Sequence, residues 1–493
     1  MKFKHLAYVV ACVYSLVFPC GALAQAEDNP SLSTEELLAH PEVQGALAAI
    51  DAWIEGVRIY EQVPGMSVGF VHGQDMIWNK GYGYSNLEDR RPADENTIYS
   101  ICSISKLFTS IGVMQLRDAG KLRLDDPVAE HLDWFDIRQA HAGSAPITIE
   151  GLLTHSSGLP RESDFPYWAA PEFPFPTRQD LIERLSSQET LYPSAYYFQY
   201  SNLGLTLAGE IVQERSGEDF ADYVTGNILQ PLGLSDTRPY YPEDLRGDQL
   251  AIGYTGMHRE HSREPVEPFF TRGITPAAGF TSTVNDLAKF ASWQFRLLED
   301  GGDEILRANT LREMQRVHYV DPDWETTWGL GFGIRRVEDT TIVGHGGGCP
   351  GYITSFRMVP DAGIAAIVLT NAGDGPAGNI ADNMLQTIGA ALKAAGEPSD
   401  AEIPDLSMYE GNYEVRPWGG EIAVRQWGEQ LVVIEIPRPA LDEAITKLEF
   451  DGDSAFTRLT DKGERREPWV FEIGAAGNAE RILVHSIYYE RID

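Results

Sequence analysis

The stretch Tyr99-Ser-Ile-Cys-Ser-Ile-Ser-Lys106 decides how the chain is read, and within it the pair Ser103 and Lys106. Leu107, Ile111 and Met114 recur at helical spacing and Gly120 stops the run, which predicts an amphipathic helix over residues 107–119. Ser103 then sits at or near the helix N-terminus, with Lys106 one turn along on the same face. The unpaired N–H groups of a first turn can stabilise an oxyanion, and an amine one turn away can take the serine proton. A lysine serves as base only where burial or nearby positive charge lowers its pKa from about 10.4. Taken alone, the Ser-x-x-Lys pattern is better explained by Ser103 as an ordinary helix cap.

With 493 residues, 43% of them hydrophobic, the chain can bury a large core and is expected to form two domains. Residues 1–24 read as a signal peptide. Lys2 and Lys4 begin it, Leu6 to Phe18 is apolar, and Ala22-Leu23-Ala24 offers a small-residue cleavage site. The expected location is therefore periplasmic or secreted. The formal net charge is −34, or −36 once Lys2 and Lys4 are removed. So acidic a surface repels nucleic acid and anionic membranes, and neither is expected as a partner. No second apolar stretch follows the signal, so no stable membrane insertion is expected. Cys12 and Cys20 leave with the signal, while Cys102 and Cys349 flank the two segments assigned below to the active site. An oxidising compartment leaves a bridge open to them, but the preferred reading is two small buried thiols.

Ser33 and Glu36 read as a capping box, and Pro41 starts a helix to about Tyr60 whose apolar face is Val43, Leu47, Ile50 and Ile54. Met66 to Val71 and Met76 to Tyr82 read as a β-hairpin around His72-Gly73-Gln74-Asp75. Asp126-Pro127 is expected to cap a short helix, and Thr148 to Leu153 leads into the turn-rich Thr154-His-Ser-Ser-Gly-Leu-Pro160. Helices are expected over Leu205 to Glu214, Val284 to Leu298 and Asn379 to Ala395, and strands over Thr340 to His345, Tyr352 to Val359 and Ile364 to Thr370. Strands at both ends of a long helical middle imply an α/β sheet flanked by helices, with a helical subdomain. Residues 25–395 would form this domain and 396–405 a linker. Residues 406–493 would form a small all-β, barrel-like domain, because short alternating segments such as Glu421-Ile-Ala-Val-Arg425 are separated by polar turns.

Two further segments raise Ser103 above the bland reading. Tyr200-Ser201-Asn202 precedes a helix, where a tyrosine hydroxyl beside a lysine can relay a proton and an asparagine amide can orient that lysine. Gly344-His-Gly-Gly-Gly348 ends a strand, and its glycines let a ligand approach the backbone. An N–H group there, with that of Ser103, would make an oxyanion hole.

The ordered set Ser103-x-x-Lys106, Tyr200-x-Asn202 and His345-Gly-Gly resembles the serine hydrolases related to class C β-lactamases, family VIII esterases and penicillin-binding D-peptidases. The resemblance runs from about residue 50 to 395. It includes the connectors Gly120-Lys-Leu-Arg-Leu-Asp-Asp-Pro127, Leu152-Leu-Thr-His-Ser-Ser-Gly-Leu-Pro160 and Leu369-Thr-Asn371. It implies that Ser103 is acylated, that Lys106 and Tyr200 share the acid–base work, and that Asn202, His345, Gly347 and Gly348 bind substrate. The backbone N–H groups of Ser103 and Gly348 would form the oxyanion hole. His345 stands where β-lactamases of the family carry the lysine of Lys-Thr-Gly or Lys-Ser-Gly. Being only partly charged near neutral pH, and followed by Gly346 without a hydroxyl, it disfavours recognition of the carboxylate of a β-lactam. The all-β tail is similar to the lipocalin-like domains of some family peptidases. The implied activity is hydrolysis of an ester or amide, with a small molecule or short peptide as substrate and no metal or organic cofactor. A β-lactamase and a non-catalytic binding or sensing module are the alternatives.

Gly65-Met-Ser-Val-Gly69 matches a nucleophile elbow, but Val68 to Val71 continues a strand where the elbow needs a helix. His155 is expected to be a hydrogen-bonded structural residue, and His258 and His261 exposed side chains rather than metal ligands. Tyr352 and Phe165 are expected either to line an acyl pocket or to pack. The segment Phe165 to Pro176, rich in proline and aromatic residues, is expected as a loop over the cleft.

Overall fold

Ile364-Ala-Ala-Ile-Val-Leu369 is apolar at every position, as a strand covered on both faces requires. In the computed structural model, which describes residues 32–398, 403–459, 462 and 464–492, this strand is buried on both sides. Ala365, Ile367 and Leu369 enter one hydrophobic core and Ile364, Ala366 and Val368 the other. The signal peptide expected over residues 1–24 lies outside the described residues, as do residues 399–402 of the expected linker.

The chain begins its sheet with β1 (Gly65–His72), β2 (Asp75–Asn86) and β3 (Arg91–Pro92). Next, β4 (Tyr99–Cys102) leads into the Ser105–Asp118 helix and pairs with β5 (Phe280–Ser282). Then come β6 (Tyr319–Val320), β7 (Thr327–Trp328), β8 (Gly333–Val337), β9 (Thr340–Cys349), β10 (Tyr352–Val359) and β11 (Ile364–Thr370). The nine-stranded order is β3-β2-β1-β11-β10-β9-β8-β7-β6, so the first hairpin closes against the last strand, from Met66 opposite Thr370 to His72 opposite Ile364. This is the sheet expected from strands at both ends of the helical middle. The Pro41–Tyr60 and Ala377–Ala395 helices cover one face. The Val284–Asp300 helix covers the other, where the Ser105–Asp118 and Asn202–Ser216 helices belong to the helical subdomain. One expectation fails locally. After Asp126-Pro127 there is only a 3-10 turn, Val128–Glu130, because Val128 N–H bonds the Ile147 carbonyl and Pro127 bridges Thr148.

The C-terminal strands are β12 (Gly411–Val415), β13 (Glu421–Trp427), β14 (Gln430–Ile436), β15 (Ile445–Gly452), β16 (Ala455–Leu459), β17 (Arg465–Ile473), β18 (Ala479–Val484) and β19 (Ile487–Arg491). They close into an eight-stranded barrel in which β12 pairs with β19. Tyr413, Val424, Leu431, Val433, Phe456 and Phe471 fill its interior. Alternate residues Ala423, Val432, Ile434 and Ile436 face outward onto the Pro41–Tyr60 helix.

That second contact explains a difference from the sequence reading. A single apolar face was expected on the helix, yet Val43, Ala46, Ala49, Ile50, Trp53, Ile54 and Val57 are all buried and Leu47 only half-buried. The helix lies between the sheet layer and the barrel. Trp53 donates its indole N–H to the Arg438 carbonyl at 2.9 Å, and Trp427 donates to Glu42 at 2.8 Å. At Gly45 a Cβ would come within 2.5 Å of the Trp427 Cα, so only glycine fits there. Gly45→Leu is therefore expected to destabilise the protein by about 1–3 kcal/mol, read as a lowered urea midpoint. An unchanged midpoint would show that the barrel does not dock on this helix.

Candidate active site

Strand β4 ends at Cys102, whose φ of +49° turns the chain sharply before Ser103. The helix begins at Ser105, two residues earlier than its apolar period suggests, because the Lys106 and Leu107 N–H groups already bond the carbonyls of Ser103 and Ile104. Lys106 is fully buried. Its Nζ lies 3.1 Å from Ser103 Oγ, 2.8 Å from Asn202 Oδ1 and 2.7 Å from the Ala277 carbonyl oxygen. Burial pushes the Lys106 pKa well below its ordinary range; Glu162 opposes this and Arg161 reinforces it. A neutral amine has two N–H donors and one lone pair. The amide oxygen of Asn202 and the Ala277 carbonyl can only accept, so they take both N–H groups and leave the lone pair facing the Ser103 hydroxyl.

Tyr200 shares a hydrogen bond with the Ser103 side chain, and burial raises its pKa, so the phenol keeps its proton. Lys106 Nζ and the Arg161 guanidinium each lie 4.9 Å from the Tyr200 ring centroid. The loop is anchored one residue at a time. Ser201 N–H donates to His155 Nδ1 at 3.1 Å, Ser201 Oγ donates to the Pro160 carbonyl at 2.7 Å, and Asn202 N–H donates to the Arg161 carbonyl at 2.7 Å. Asn202 opens the Asn202–Ser216 helix, with Ser201 as its cap. Its Nδ2 donates to Glu162 Oε1 at 2.6 Å, which fixes the amide so that Oδ1 faces Lys106. Tyr167 donates its hydroxyl to the other Glu162 oxygen.

His345 closes the site from β9, its ring 6.1 Å from that of Tyr200. Burial, and then the charge of Lys106, lower its pKa to about 3. Its Nδ1–H donates to the Gly346 carbonyl, and Nε2 is buried without a hydrogen-bond partner among the described residues. The partial charge expected at neutral pH is thus corrected to a neutral imidazole. Gly347 has a packing role as well: a Cβ there would meet the Ile101 carbonyl at 2.2 Å, so glycine lets β4 lie directly on β9. Gly348 is open, with only Ile353 within reach of such a Cβ.

All seven residues picked out in the sequence fall in this region. Others needed the structure. Glu162 follows the quoted Leu152–Pro160 connector and looks, beside Arg161, like a solvated charge. Trp328 comes from a two-residue strand and stands 5.5 Å from the His345 ring and 6.2 Å from that of Tyr200. His155 is structural, as its neighbours suggest, stacking 4.3 Å behind Tyr200. Tyr352 and Phe165 turn out to pack: Tyr352 is buried and bonds the Ala251 carbonyl, and Phe165 packs against the core beneath Arg184. Trp168 and Phe173 of the Phe165–Pro176 loop do line a cavity of about 690 Å³ with Val266, Gly348, Cys349 and Ile353. Ser67 is buried, donating to the Asp94 carbonyl and touching the Tyr99 hydroxyl, which removes the elbow reading. His258 and His261 are exposed, and among the described residues no three of His, Cys, Asp or Glu are grouped as metal ligands.

The cysteines overturn the preferred reading. Cys102 and Cys349 form a disulfide, with Cα atoms 5.8 Å apart across 247 residues of sequence. The cause is topological, since β4 crosses the face of β9 and brings the two flanking residues together.

The beta-lactamase family model matches residues 50–391, a span that holds every residue of this site. The chain is 28% identical over 325 residues to beta-lactamase-like protein 2 of Dictyostelium discoideum, covering 65% of this chain and 58% of that protein. It is likewise 28% identical over 318 residues to penicillin-binding protein 4* of Bacillus subtilis, covering 61% and 66%. It therefore spans less than two thirds of the length of these relatives. Among solved structures, the octameric penicillin-binding protein homologue from Pyrococcus abyssi is similar with a TM-score of 0.61 and 26% identity, over 90% of this chain and 99% of that one. On the extent of the family match, and with the fold to which it corresponds, this chain belongs to the beta-lactamase family of serine hydrolases.

Proposed function

We propose that the protein is an exported hydrolase that cleaves an ester or amide through an acyl-enzyme on Ser103. The observation that carries this reading is the buried Lys106 amine, 3.1 Å from Ser103 Oγ, with both of its N–H groups committed elsewhere. Lys106 takes the Ser103 proton as Oγ attacks the substrate carbonyl. The N–H groups of Ser103 and Gly348 hold the resulting oxyanion. The protonated Lys106 returns its proton to the leaving group through the neutral Tyr200 hydroxyl, and water then releases the acid by the reverse route. Asn202 and Glu162 hold Lys106 in place.

The substrate group beside the scissile carbonyl enters the cavity between Trp168, Phe173, Val266 and Ile353, with Glu264 and Glu267 also on its wall. An apolar side chain fits it, and a short peptide or ester is favoured over a β-lactam. The neutral His345 offers no cation to a drug carboxylate. The sequence of residues 1–24 and the disulfide both support export to an oxidising compartment.

The direct test is intact mass after exposure to a fluorophosphonate. One adduct is expected on wild type and none on Ser103→Ala. A well-folded wild type that takes no adduct would leave a binding module. With labelling established, p-nitrophenyl esters and short-peptide anilides are expected to turn over well ahead of a chromogenic cephalosporin; the opposite ranking would make the protein a β-lactamase.

The state of Lys106 sets the pH dependence. Ester hydrolysis is expected to be lost as pH falls through the depressed Lys106 pKa, with no separate inflection from His345 between pH 5 and 8. Lys106→Arg should lower kcat by about 10²- to 10⁴-fold, the usual worth of a positioned base. An inflection near pH 6.5 that vanishes in His345→Asn would contradict the neutral imidazole.

Stability carries the same signature. Folding lowers the His345 pKa from its ordinary 6.5 to about 3, so the unfolded chain binds the proton first as pH falls. The stability contributed by this neutral histidine is complete above about pH 6.5 and is lost at up to about 1.4 kcal/mol per pH unit below it. His155 acts in the same direction. Urea midpoints from pH 7 to 5 should therefore fall more steeply for wild type than for His345→Asn. Equal slopes would show that His345 takes up its proton in the folded state.

A further inference from the structure

The two backbone N–H groups assigned to the oxyanion come from separate sheets. Ser103 follows β4, which among the described residues pairs only with β5, whereas Gly348 is near the end of β9 in the nine-stranded sheet. No strand ladder joins β4 to β9. β9 is also thinly held at this end, because β8 stops at the pair Gly333–Gly344 and only β10 continues beside His345 to Cys349. Contacts at Ile101 and Cys102 hold β4 against the paired strands β9 and β10. Gly347 lies against the Ile101 carbonyl, Thr354 Oγ1 donates to that same carbonyl at 3.2 Å, and the disulfide links Cys102 to Cys349. Cys102 is the residue before Ser103 and Cys349 the residue after Gly348.

We propose that the Cys102–Cys349 disulfide is a positioning element of the oxyanion hole, holding the Ser103 and Gly348 N–H groups at the separation the transition state needs. The proposal rests on the reading of Ser103 as nucleophile. Neither sulfur touches the reacting atoms, so the effect falls on transition-state binding and not on the affinity for substrate. The disulfide is also open to reduction from one side. Cys102 is fully buried, but Cys349 lines the cavity of about 690 Å³ that runs up to Gly348. A dithiol reductant attacks Cys349 Sγ with one thiolate and Cys102 leaves as a thiolate. The second thiolate of the reductant then displaces Cys349 from the mixed disulfide. Both cysteines end as thiols with two protons gained, and the reductant ends as its own disulfide.

The test compares the rate constant for fluorophosphonate labelling, and kcat and KM for a p-nitrophenyl ester, before and after dithiothreitol, with circular dichroism to show that the reduced protein stays folded. Reduction is expected to slow labelling and to lower kcat by roughly 10- to 100-fold, as displacement of an oxyanion donor does, with KM moving less than about twofold. Reoxidation should restore both rates, and Cys102→Ser/Cys349→Ser should match the reduced enzyme. The midpoint of the pH profile should stay unchanged, because Lys106 keeps its surroundings. Equal rates in the folded, reduced protein would overturn the proposal and leave the disulfide a stabilising link only. A raised KM with unchanged kcat would overturn it too, because the bridge would then act through the cavity wall that Cys349 lines and not through the oxyanion donors. Failure of the oxidised wild type to label at all would instead remove Ser103 as nucleophile, and the proposal with it.

Discussion

Lys106 is buried completely, and Glu162 is the one carboxylate that favours its charge while Arg161 opposes it. An ammonium in so dry a place is costly, whereas a neutral amine is not, provided its two N–H groups are bonded. The surrounding structure meets that condition from three directions. The Ser105–Asp118 helix carries the lysine, the Asn202–Ser216 helix delivers an amide oxygen, and the Thr275–Ala278 turn delivers a carbonyl. The stretch from His155 to Glu162 holds the second of these in register through Ser201 and Asn202. Loss of any one partner would leave an N–H group free to turn toward Ser103, and the lone pair would no longer face the hydroxyl.

The scaffold behind this arrangement is layered. The sheet lies between a helical subdomain, whose core includes β4 and the helices around Lys106, and a second core shared with the barrel. The Pro41–Tyr60 helix belongs to both the sheet layer and the barrel surface, so burial of Trp53 and Ile50 couples them. On the other side, β4 meets the sheet through the Thr354 hydroxyl, the Gly347 contact, the Tyr99–Ser67 hydroxyl pair and the disulfide. The site thus sits where two separately built parts of the chain meet.

Much of this was legible in the sequence because it follows from local periodicity. The unbroken apolar run of β11 and the helical spacing after Ser103 each placed an element correctly, and polar turns between short alternating segments announced the barrel. The order of Ser103, Lys106, Tyr200, Asn202 and His345 was legible because each residue type has a chemical use beside the next. What stayed hidden is what only packing decides. Glu162 looks solvated until Asn202 and Tyr167 bond it, and Trp328 lies on a strand too short to show a period. The charge of His345 depends on burial, which a motif does not reveal. The disulfide joins residues 247 apart; their places beside the two site segments left a bridge open, but only the crossing of β4 over β9 decides it against two buried thiols.

The central claim is that Lys106 is an uncharged amine at the pH where the enzyme works. It is tested most directly by the ¹³Cε resonance of Lys106 in selectively labelled protein, assigned by its loss in Lys106→Arg and followed from pH 5 to 11. The account predicts a midpoint well below the ordinary lysine value of about 10.4. A midpoint at or above that ordinary value would mean that an ammonium is buried beside Ser103, and would contradict the claim.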